Sequence, residues 1–600
     1  MKVLSFIALS SLPFAINAQD IIVTADRIKS SFEKSPNDIR VFSADEIDRA
    51  ETIIDLLKTE SDLQIAQSGG PGSNASLFLR GSDSSHTLVV IDDIIMNDPS
   101  NPNRQFDIGR LSLNNIERVE ILKGSQGLLY GSNAIGGVIV ITSKQPQGDQ
   151  LSGSTSVDYG SFNSLGVAAN AQKKYGPLAL SLGIDHFQTD GFSAANLSSN
   201  PNADDDSERR LTMSFAANQN IAKNTEVIFN YRFMKDDIDL DKGGGPENDD
   251  PNDFQLTQEQ YLKTGLKHFW NNGETHFYYT KNSHHRTLNT LPDAASTTRS
   301  SVVSKGVVDT FAINHTQYTT EFLTQNLNID FQHEEDQSHR FNENLSTFLY
   351  NRIEAGNSVF NIGARLESNK YFGEHLTYKT AYLYNFDKSI FKASYSTGFR
   401  APSLNQLYDP TYGNKNLNPE KSQSAEMGID IPLGLDNKYT GTLFYTDLKN
   451  RLSYDPVTFV NQNRGRARII GLENRIDINM NNMTSAYLSA TWLSAKDMTS
   501  KEKLVRRPDL SGRAGLNYQY ENHTTSIDFN YTGKRNDVDN LGNIVKMKAH
   551  HSFDLEYRYS IDQAWSASGA MKNIFNEYYE DIYGYGTGGR AATLGMKYIF

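Results

Sequence analysis

The side chains best suited to direct chemistry in this 600-residue sequence are carboxylates. Asp204-Asp205-Asp206 and the alternating Asp237, Asp239 and Asp241 concentrate hard oxygen donors, the ligand type that a hard divalent cation takes. The second group does not follow the EF-hand loop: its glycine, Gly243, falls one place late, and its twelfth position is Asn248 rather than Glu. Acid-rich loops of this kind are also found simply solvated, or bridging lipopolysaccharide through divalent ions. Covalent catalysis finds little support. There is no Gly-x-Ser-x-Gly elbow, no His-Glu-x-x-His and no P-loop, His numbers 13, and Cys is absent. The sequence therefore predicts no enzyme and no covalently held cofactor, and it excludes disulfides and thiolate metal sites.

Those acids must be positioned by a large scaffold. One compact core stops growing at roughly 250–300 residues, so the length implies several domains or one very large closed sheet. Only 38% of residues are hydrophobic, yet 11% are aromatic, a profile that suits a sheet wet on one face and apolar on the other. Apart from the N-terminus, nothing approaches ~18 consecutive apolar residues, which excludes a multi-span helical membrane protein. A net charge of -13 argues against nucleic acid as a partner. Met1-Lys2, the apolar stretch Val3 to Phe14 and the small residue Ala18 read as a signal peptide over residues 1–18, so the chain is expected to be exported.

Two regimes follow. Residues 20 to 146 read as a small α/β domain. Ser43-Ala44-Asp45-Glu46 predicts a capped helix start, with apolar Ile47, Ile53, Ile54, Leu56 and Leu57 behind it. Thr87 to Ile91, Val119 to Leu122 and Val138 to Ile141 read as strands. From Gln145 onward, apolar and polar residues alternate. Leu178, Leu180, Leu182 and Ile184 form one such series, Val227, Phe229, Tyr231 and Phe233 another, and Leu594, Met596, Tyr598 and Phe600 close the chain. A period of two over about 450 residues predicts a 22-stranded antiparallel transmembrane β-barrel with a wet lumen, mainly β overall, and the α/β domain as a plug inside it.

At this point the sequence resembles the TonB-dependent outer-membrane receptors, over the whole mature chain. Asp20-Ile21-Ile22-Val23-Thr24-Ala25 is similar to the family's Ton box, the extended peptide that adds to a strand of TonB through main-chain hydrogen bonds. Phe78-Leu79-Arg80-Gly81, Val90-Ile91-Asp92, Ile116-Glu117-Arg118-Val119-Glu120 and Tyr130 to Gly137 match plug segments. Arg80, Glu117, Arg118 and Glu120 are expected to hold the plug to charged residues of the lumen wall. Asp93 stands where the family prefers Gly, Ser125 where Pro usually follows Lys-Gly, and Val140 where Asn is common. The resemblance divides the chain into a signal peptide (1–18), a Ton box segment (19–28), a plug (29–146) and a barrel (147–600).

Within the family the chain is most similar to the cobalamin (vitamin B-12) transporters, through Asp26-Arg27 after the Ton box, Ser396 to Tyr408, Asn416 to Ser422, Gly465 to Glu473 and Asn573 to Tyr579. Haem receptors carry a ligand His between the second and third of these stretches, and residues 403 to 415 contain none. The resemblance implies a ligand cradle of Gln67, Ser68, Gly70, Ser73 and Asn74 in one apical plug loop and Asn97, Asp98, Ser100 and Asn101 in another, with Arg506 and Tyr585 from the wall. It also implies calcium in the early extracellular loops, held by Asp204, Asp206, Asp237, Asp239 and Asp241, although the family's further acid is Ser193 here. The expected activity is TonB-dependent transport of cobalamin or a related corrinoid across the bacterial outer membrane, with a ferric siderophore or haem as the alternative cargo. TonB, outer-membrane lipid and lipopolysaccharide are the expected partners of a monomer.

Overall fold

The computed structural model describes residues 22–23, 27–28, 30–146, 148–195, 203–241, 253–290, 300–320, 322–434, 436–455, 458–539 and 541–600. The predicted signal peptide and Asp20, Ile21, Thr24 and Ala25 lie outside the described residues.

The N-terminal domain opens with a short hairpin: β1 (Ile22–Val23) pairs antiparallel with β2 (Ser30–Ser31). β3 (Ile39–Phe42) follows, then α1 (Ala44–Arg49) and α2 (Ile53–Lys58). The expected helix is two helices, because the chain is extended at Ala50 and restarts on a second cap. Ser43 accepts from the Glu46 amide while the Glu46 carboxylate accepts from the Ser43 amide, and Thr52 caps α2 through the Asp55 amide. Next come β4 (Leu63–Gln67), β5 (Ala75–Leu79), β6 (Thr87–Ile91), β7 (Ile94–Ile95), β8 (Ile116–Lys123), α3 (Gly127–Tyr130) and β9 (Gly137–Ser143).

The central sheet has the order β3-β8-β9-β6-β7, with only β6 and β9 parallel. β6, β7 and β9 are near-continuous apolar runs, as strands covered on both faces are, whereas β3 carries Arg40 and β8 interleaves Glu117, Arg118, Glu120 and Lys123 with its apolar residues. Val89, Ile91, Val119, Ile121, Ile139 and Ile141 pack under α1 and α2. Leu88, Val90, Leu122, Val138 and Val140 face α3 together with Phe348 and Tyr350 of the lumen wall.

Twenty-two antiparallel strands close the barrel around this domain, from Ser152–Gly160 to Ala591–Ile599. The first pairs with the last, Ser154 opposite Ile599. Strand length varies from 8 residues in Trp565–Lys572 to 21 in Ser300–Thr320. The period-two reading places Leu182, Ile184, Leu594 and Met596 outward, where all are well exposed, as lipid-facing positions must be in the isolated chain. Trp270, Trp492 and Trp565, the three tryptophans of the chain, are exposed on the strands too, the position in which amphipathic rings meet the membrane interface. The alternate residues turn inward, and many are buried by the plug.

Candidate functional site

The plug is held by charge. Arg80 is 5% exposed, and its fork grips the wall carboxylate Glu473 at 2.6 and 2.8 Å and Glu426 at 3.1 Å, with Asp38 of the plug completing the shell. Lys123 adds contacts to Asp62 at 3.0 Å and to Glu473 at 3.6 Å. Gly124 takes a left-handed φ of 72°, and any Cβ there would fall on the Glu426 carboxylate. Of the other plug charges singled out by motif, Arg118 lies 3.6 Å from Glu120 within β8. Arg104, which the motifs did not mark, reaches the wall instead: it is forked on Glu334 at 2.6 and 2.9 Å.

The segment that follows β1 is anchored to this assembly. The Arg27 guanidinium lies over the Tyr130 ring at 4.5 Å and 3.5 Å from Asp93, which in turn binds Lys263 of the wall at 2.7 Å. Asp93 keeps the left-handed backbone that its family-typical glycine would adopt, φ 67°, and adds a carboxylate that glycine lacks.

Two apical loops cap the plug. In the loop between β4 and β5, Gln67 donates to the Gly70 carbonyl at 2.9 Å, Ser73 to the same carbonyl at 2.6 Å, and Ser68 to the Asn74 carbonyl at 3.3 Å. Gly70 packs against Phe192, and Asn74 is exposed, its side-chain oxygen accepting from Gln105. In the second loop Asn97 is buried: its oxygen accepts from the Val89 amide and its nitrogen donates to the Arg104 carbonyl. Asp98 is also buried, accepting from the Ser100 amide and hydroxyl at 2.8 and 2.6 Å and pairing with Arg286. Asn101 accepts from the Asn103 amide at 2.9 Å. The surface left to solvent is formed by Gln67, Ser68, Pro71, Asn74, Asn101, Pro102 and Asn103, amides, a hydroxyl and prolines without a net charge among them.

Asp107 braces these loops from below, its carboxylate accepting from the Ala75 and Gly109 amides at 3.2 and 3.3 Å. Burial, aided by Glu259 and opposed by Arg110, pushes its carboxyl up to about 6. An acid whose folded value is raised contributes stability that is present below its unfolded value and lost as pH rises through about 6. Asp107→Asn keeps the accepting oxygen, so it is expected to stabilise the apical loops at pH 7.5 and to change little at pH 4. Hydrogen exchange at the Ala75 and Gly109 amides checks this.

Asp537 ties Arg506 to the loop that carries Tyr585. Arg506 donates to Asp537 at 2.9 Å, and the other Asp537 oxygen accepts from the Tyr583 amide. Tyr585, two residues on, bridges Ala195 and packs against Ala66, Phe78 and Ile582. Asp537, fully buried, carries no signal in the sequence because it sits in a hairpin inside a loop.

Of the predicted metal ligands, Asp206, Asp239 and Asp241 gather around the backbone of Ser193 to Ala195 and Ser207, whereas Asp237 stands apart. Asp206 accepts from the Ala194 amide at 2.6 Å, Asp241 from the Ala195 amide at 2.7 Å, and Asp239 from the Ser207 hydroxyl at 2.6 Å. Asp237 lies on a strand opposite Arg209. Burial and the neighbouring Asp241, Asp204 and Asp239 push the Asp206 carboxyl up to about 8. Among the described residues no three acids or histidines are arranged to hold a metal ion. The segment these acids hold touches the plug, since Ala194 packs on Gly69.

From Gly69–Gly72 a crevice of about 530 Å³ runs down between plug and wall to Asp48 and Lys597, which pair at 3.0 Å. Phe162 and Phe192, with ring centroids 5.2 Å apart, line its upper part.

Comparison with known proteins matches these two units separately. A family model described as "TonB dependent receptor-like, beta-barrel" matches residues 198–574, and one described as "TonB-dependent Receptor Plug Domain" matches residues 31–138. Among solved structures, the chain is similar to the siderophore receptor PirA from Acinetobacter baumannii, with a TM-score of 0.81, 14% identity, and coverage of 94% of this chain and 98% of that one. A mutant ferric enterobactin receptor, PfeA from Pseudomonas aeruginosa, in complex with enterobactin gives a TM-score of 0.81 at 15% identity, covering 95% and 100%. The siderophore receptor PiuA from Acinetobacter baumannii gives 0.77 at 16%, covering 95% and 98%.

Proposed function

This chain belongs to the TonB-dependent receptors, the transporters of the outer membrane, and from that premise we propose that its cargo is a ferric siderophore of low net charge. The observation that carries the charge is the apical floor. Its solvent-facing residues are uncharged, and the charged groups beside them, Asp98, Arg104 and Arg506, are engaged by Arg286, Glu334 and Asp537. Placing a trianionic chelate on such a floor would desolvate charge without a partner. The siderophore class is supported by the names of the similar solved receptors. Cobalamin is the second reading, favoured by the same amide-rich floor and by the stretches that resemble cobalamin transporters.

The proposed ligand contacts are Gln67, Ser68, Gly70, Asn74, Asn101 and Tyr585, with Ser73, Asn97, Asp98, Ser100 and Arg506 shaping the loops that present them. Calcium is proposed as an ordering ion for the segment 193–195, where Asp206, Asp239 and Asp241 already gather around backbone amides. A divalent cation there would relieve the mutual repulsion of the acids. TonB takes hold of the exported chain's segment 20–25 as an added strand and, driven by the inner-membrane proton gradient, pulls the plug from its N-terminal end. Family and fold are those of transport receptors rather than enzymes.

Equilibrium binding to the purified full chain tests the cargo. A neutral ferric trihydroxamate, ferric enterobactin and cyanocobalamin are titrated with calcium and with chelator. The expected result is binding of the trihydroxamate, at least about tenfold weaker binding of the anionic ferric enterobactin, and loss of affinity in chelator. Binding of cyanocobalamin alone would replace the first reading by the second, and affinity unchanged by chelator would remove the calcium.

A further inference from the structure

Protein interiors leave few voids larger than a water molecule, yet the crevice of about 530 Å³ between plug and wall stays open. The cause lies in the wall at the seam where the first barrel strand pairs with the last. Two inward rows run across the strands Trp565–Lys572, Ala591–Ile599, Ser152–Gly160 and Ser164–Tyr175. Ser568, Gly595, Asp158 and Gly166 stand opposite one another in the first row, and Ser566, Lys597, Ser156 and Ala168 in the second. Six of these eight residues are Ser, Ala or Gly, and a Cβ on Gly595 would collide with Asp158 Oδ1 and Ser568 Oγ. Elsewhere the wall fills the same gap with long side chains: Glu473 and Glu426 meet Arg80, Lys263 meets Asp93, and Lys379 donates to Gln126 at 2.8 Å. A smaller chamber of about 100 Å³, lined by Thr310, Asn328 and Gln332, lies away from the seam and is bordered by the Arg104–Glu334 pair.

Both ends of the crevice meet elements that transport must move. At its mouth the Phe192 ring lies against Gly70, one of the proposed ligand contacts. At its lower end the plug reaches the seam where α1 gives way to α2. Asp48 pairs with Lys597 at 3.0 Å, Arg558 donates to the Asp48 carbonyl, and the Glu51 carboxyl faces the Thr593 hydroxyl. This corner is the extended break at Ala50. β3, which leads into it, is an edge strand of the central sheet. Asn114 bounds the crevice to one side, donating to the Ala169 and Ile184 carbonyls at 3.3 and 3.1 Å.

We propose that the cargo leaves the apical loops through this crevice, along the seam, and that the corner between α1 and α2 closes its lower end. The inference rests on the transport reading and adds to it the side of the plug on which the cargo travels. The volume is that of sites which enclose a drug-sized ligand. Serine hydroxyls both donate and accept, which suits an uncharged chelate shedding its water, and the one acid and one lysine of the two rows cancel. Tension applied from the N-terminal end reaches β3 and α1 before it reaches Arg80 or Arg104. Asp48 is therefore drawn off Lys597 while the wall contacts of Arg80 and Arg104 still hold the rest of the plug.

The chain has no cysteine, so a single thiol can be placed and modified after folding. Ser568→Cys and Ser156→Cys put it on the seam wall, and Thr310→Cys puts it in the smaller chamber. Each variant, in cells, is given either a methylthio group or a bulky disulfide-linked dye. Mass spectrometry confirms the adduct, and heat-modifiable gel migration confirms the folded barrel. Uptake of a neutral ferric trihydroxamate and of cyanocobalamin is followed before and after reduction. The bulky adduct at either seam position is expected to lower uptake at least about tenfold and the methylthio group less than about twofold, with reduction restoring the rate. Cargo affinity, and uptake through the labelled Thr310→Cys protein, should stay near the unlabelled values. Undiminished uptake with the bulky adduct at both seam positions would overturn the route, as would an equal loss from Thr310→Cys. Lys597→Asp should pass current in planar bilayers, and adding Asp48→Lys should close it again; unaltered conductance in Lys597→Asp would overturn the lower closure. No uptake of either compound by the unlabelled variants would overturn the transport reading and the route with it.

Discussion

Arg80→Ala is expected to unseat the plug, costing about 3–5 kcal/mol of plug–barrel stability. The magnitude follows from burial: Arg80 is 5% exposed and faces Glu473, Glu426 and Asp38, so removing it leaves Glu426 and Asp38 without this cation, and Glu473 with Lys123 alone, in a largely buried site. Arg80→Lys should rescue little, because a single ammonium cannot reproduce the paired contacts of Nε and Nη2 with the two Glu473 oxygens. Two measurements check this. Hydrogen exchange across β6 and β9 should accelerate in both variants while the barrel strands remain protected. Planar-bilayer conductance should change from a closed wild-type state to frequent openings. An Arg80→Ala protein with unaltered exchange in the plug would show that the cluster contributes order without holding the domain.

Val23→Pro is expected to reduce energised uptake to the level of cells lacking TonB, with cargo affinity unchanged. β1 is two residues long, and strand addition to a partner depends on main-chain donors that proline lacks. The proposed ligand contacts lie in the loops around residues 67–74 and 97–104 and none of them is in β1, so binding and transport are expected to separate in one variant. Val23→Ala, which keeps the amide, should transport nearly normally. The pair therefore distinguishes a requirement for backbone pairing from one for the valine side chain. Uptake by Val23→Pro equal to wild type would place the coupling segment elsewhere.

The barrel was legible because one rule governs every strand: lipid outside and water or plug inside force a period of two, and Leu178 to Ile184 or Val227 to Phe233 carry it openly. The plug was legible in part. Its sheet strands could be read as apolar runs, but the interruption between α1 and α2 depends on the extended backbone at Ala50 and the second cap at Thr52. Turn-rich loops were recognisable as loops, yet residue types alone do not say which side chains fold back. Asn97 and Asn74 have the same chemistry; one is locked between Val89 and Arg104, and the other faces solvent. Long-range partners were the least legible. Asp537 beside Arg506, Phe192 over Gly70 and Arg104 on Glu334 all join segments with no local relation in the chain.

The pairing of Ser152–Gly160 with Ala591–Ile599 makes the barrel a structure that exists only when its last residues arrive. Nearly the entire barrel sequence separates the two, the largest separation of any strand pairing among the described residues, so this pairing closes last. A product truncated before Ala591 would present two unpaired sheet edges, which hydrocarbon cannot satisfy. Completeness of the chain is thus inspected by its own geometry, because an unfinished copy cannot become a stable membrane resident. The same order imposes a deadline on the plug. It is made first and is too wide to be threaded in later, so it has to be enclosed before the seam zips shut.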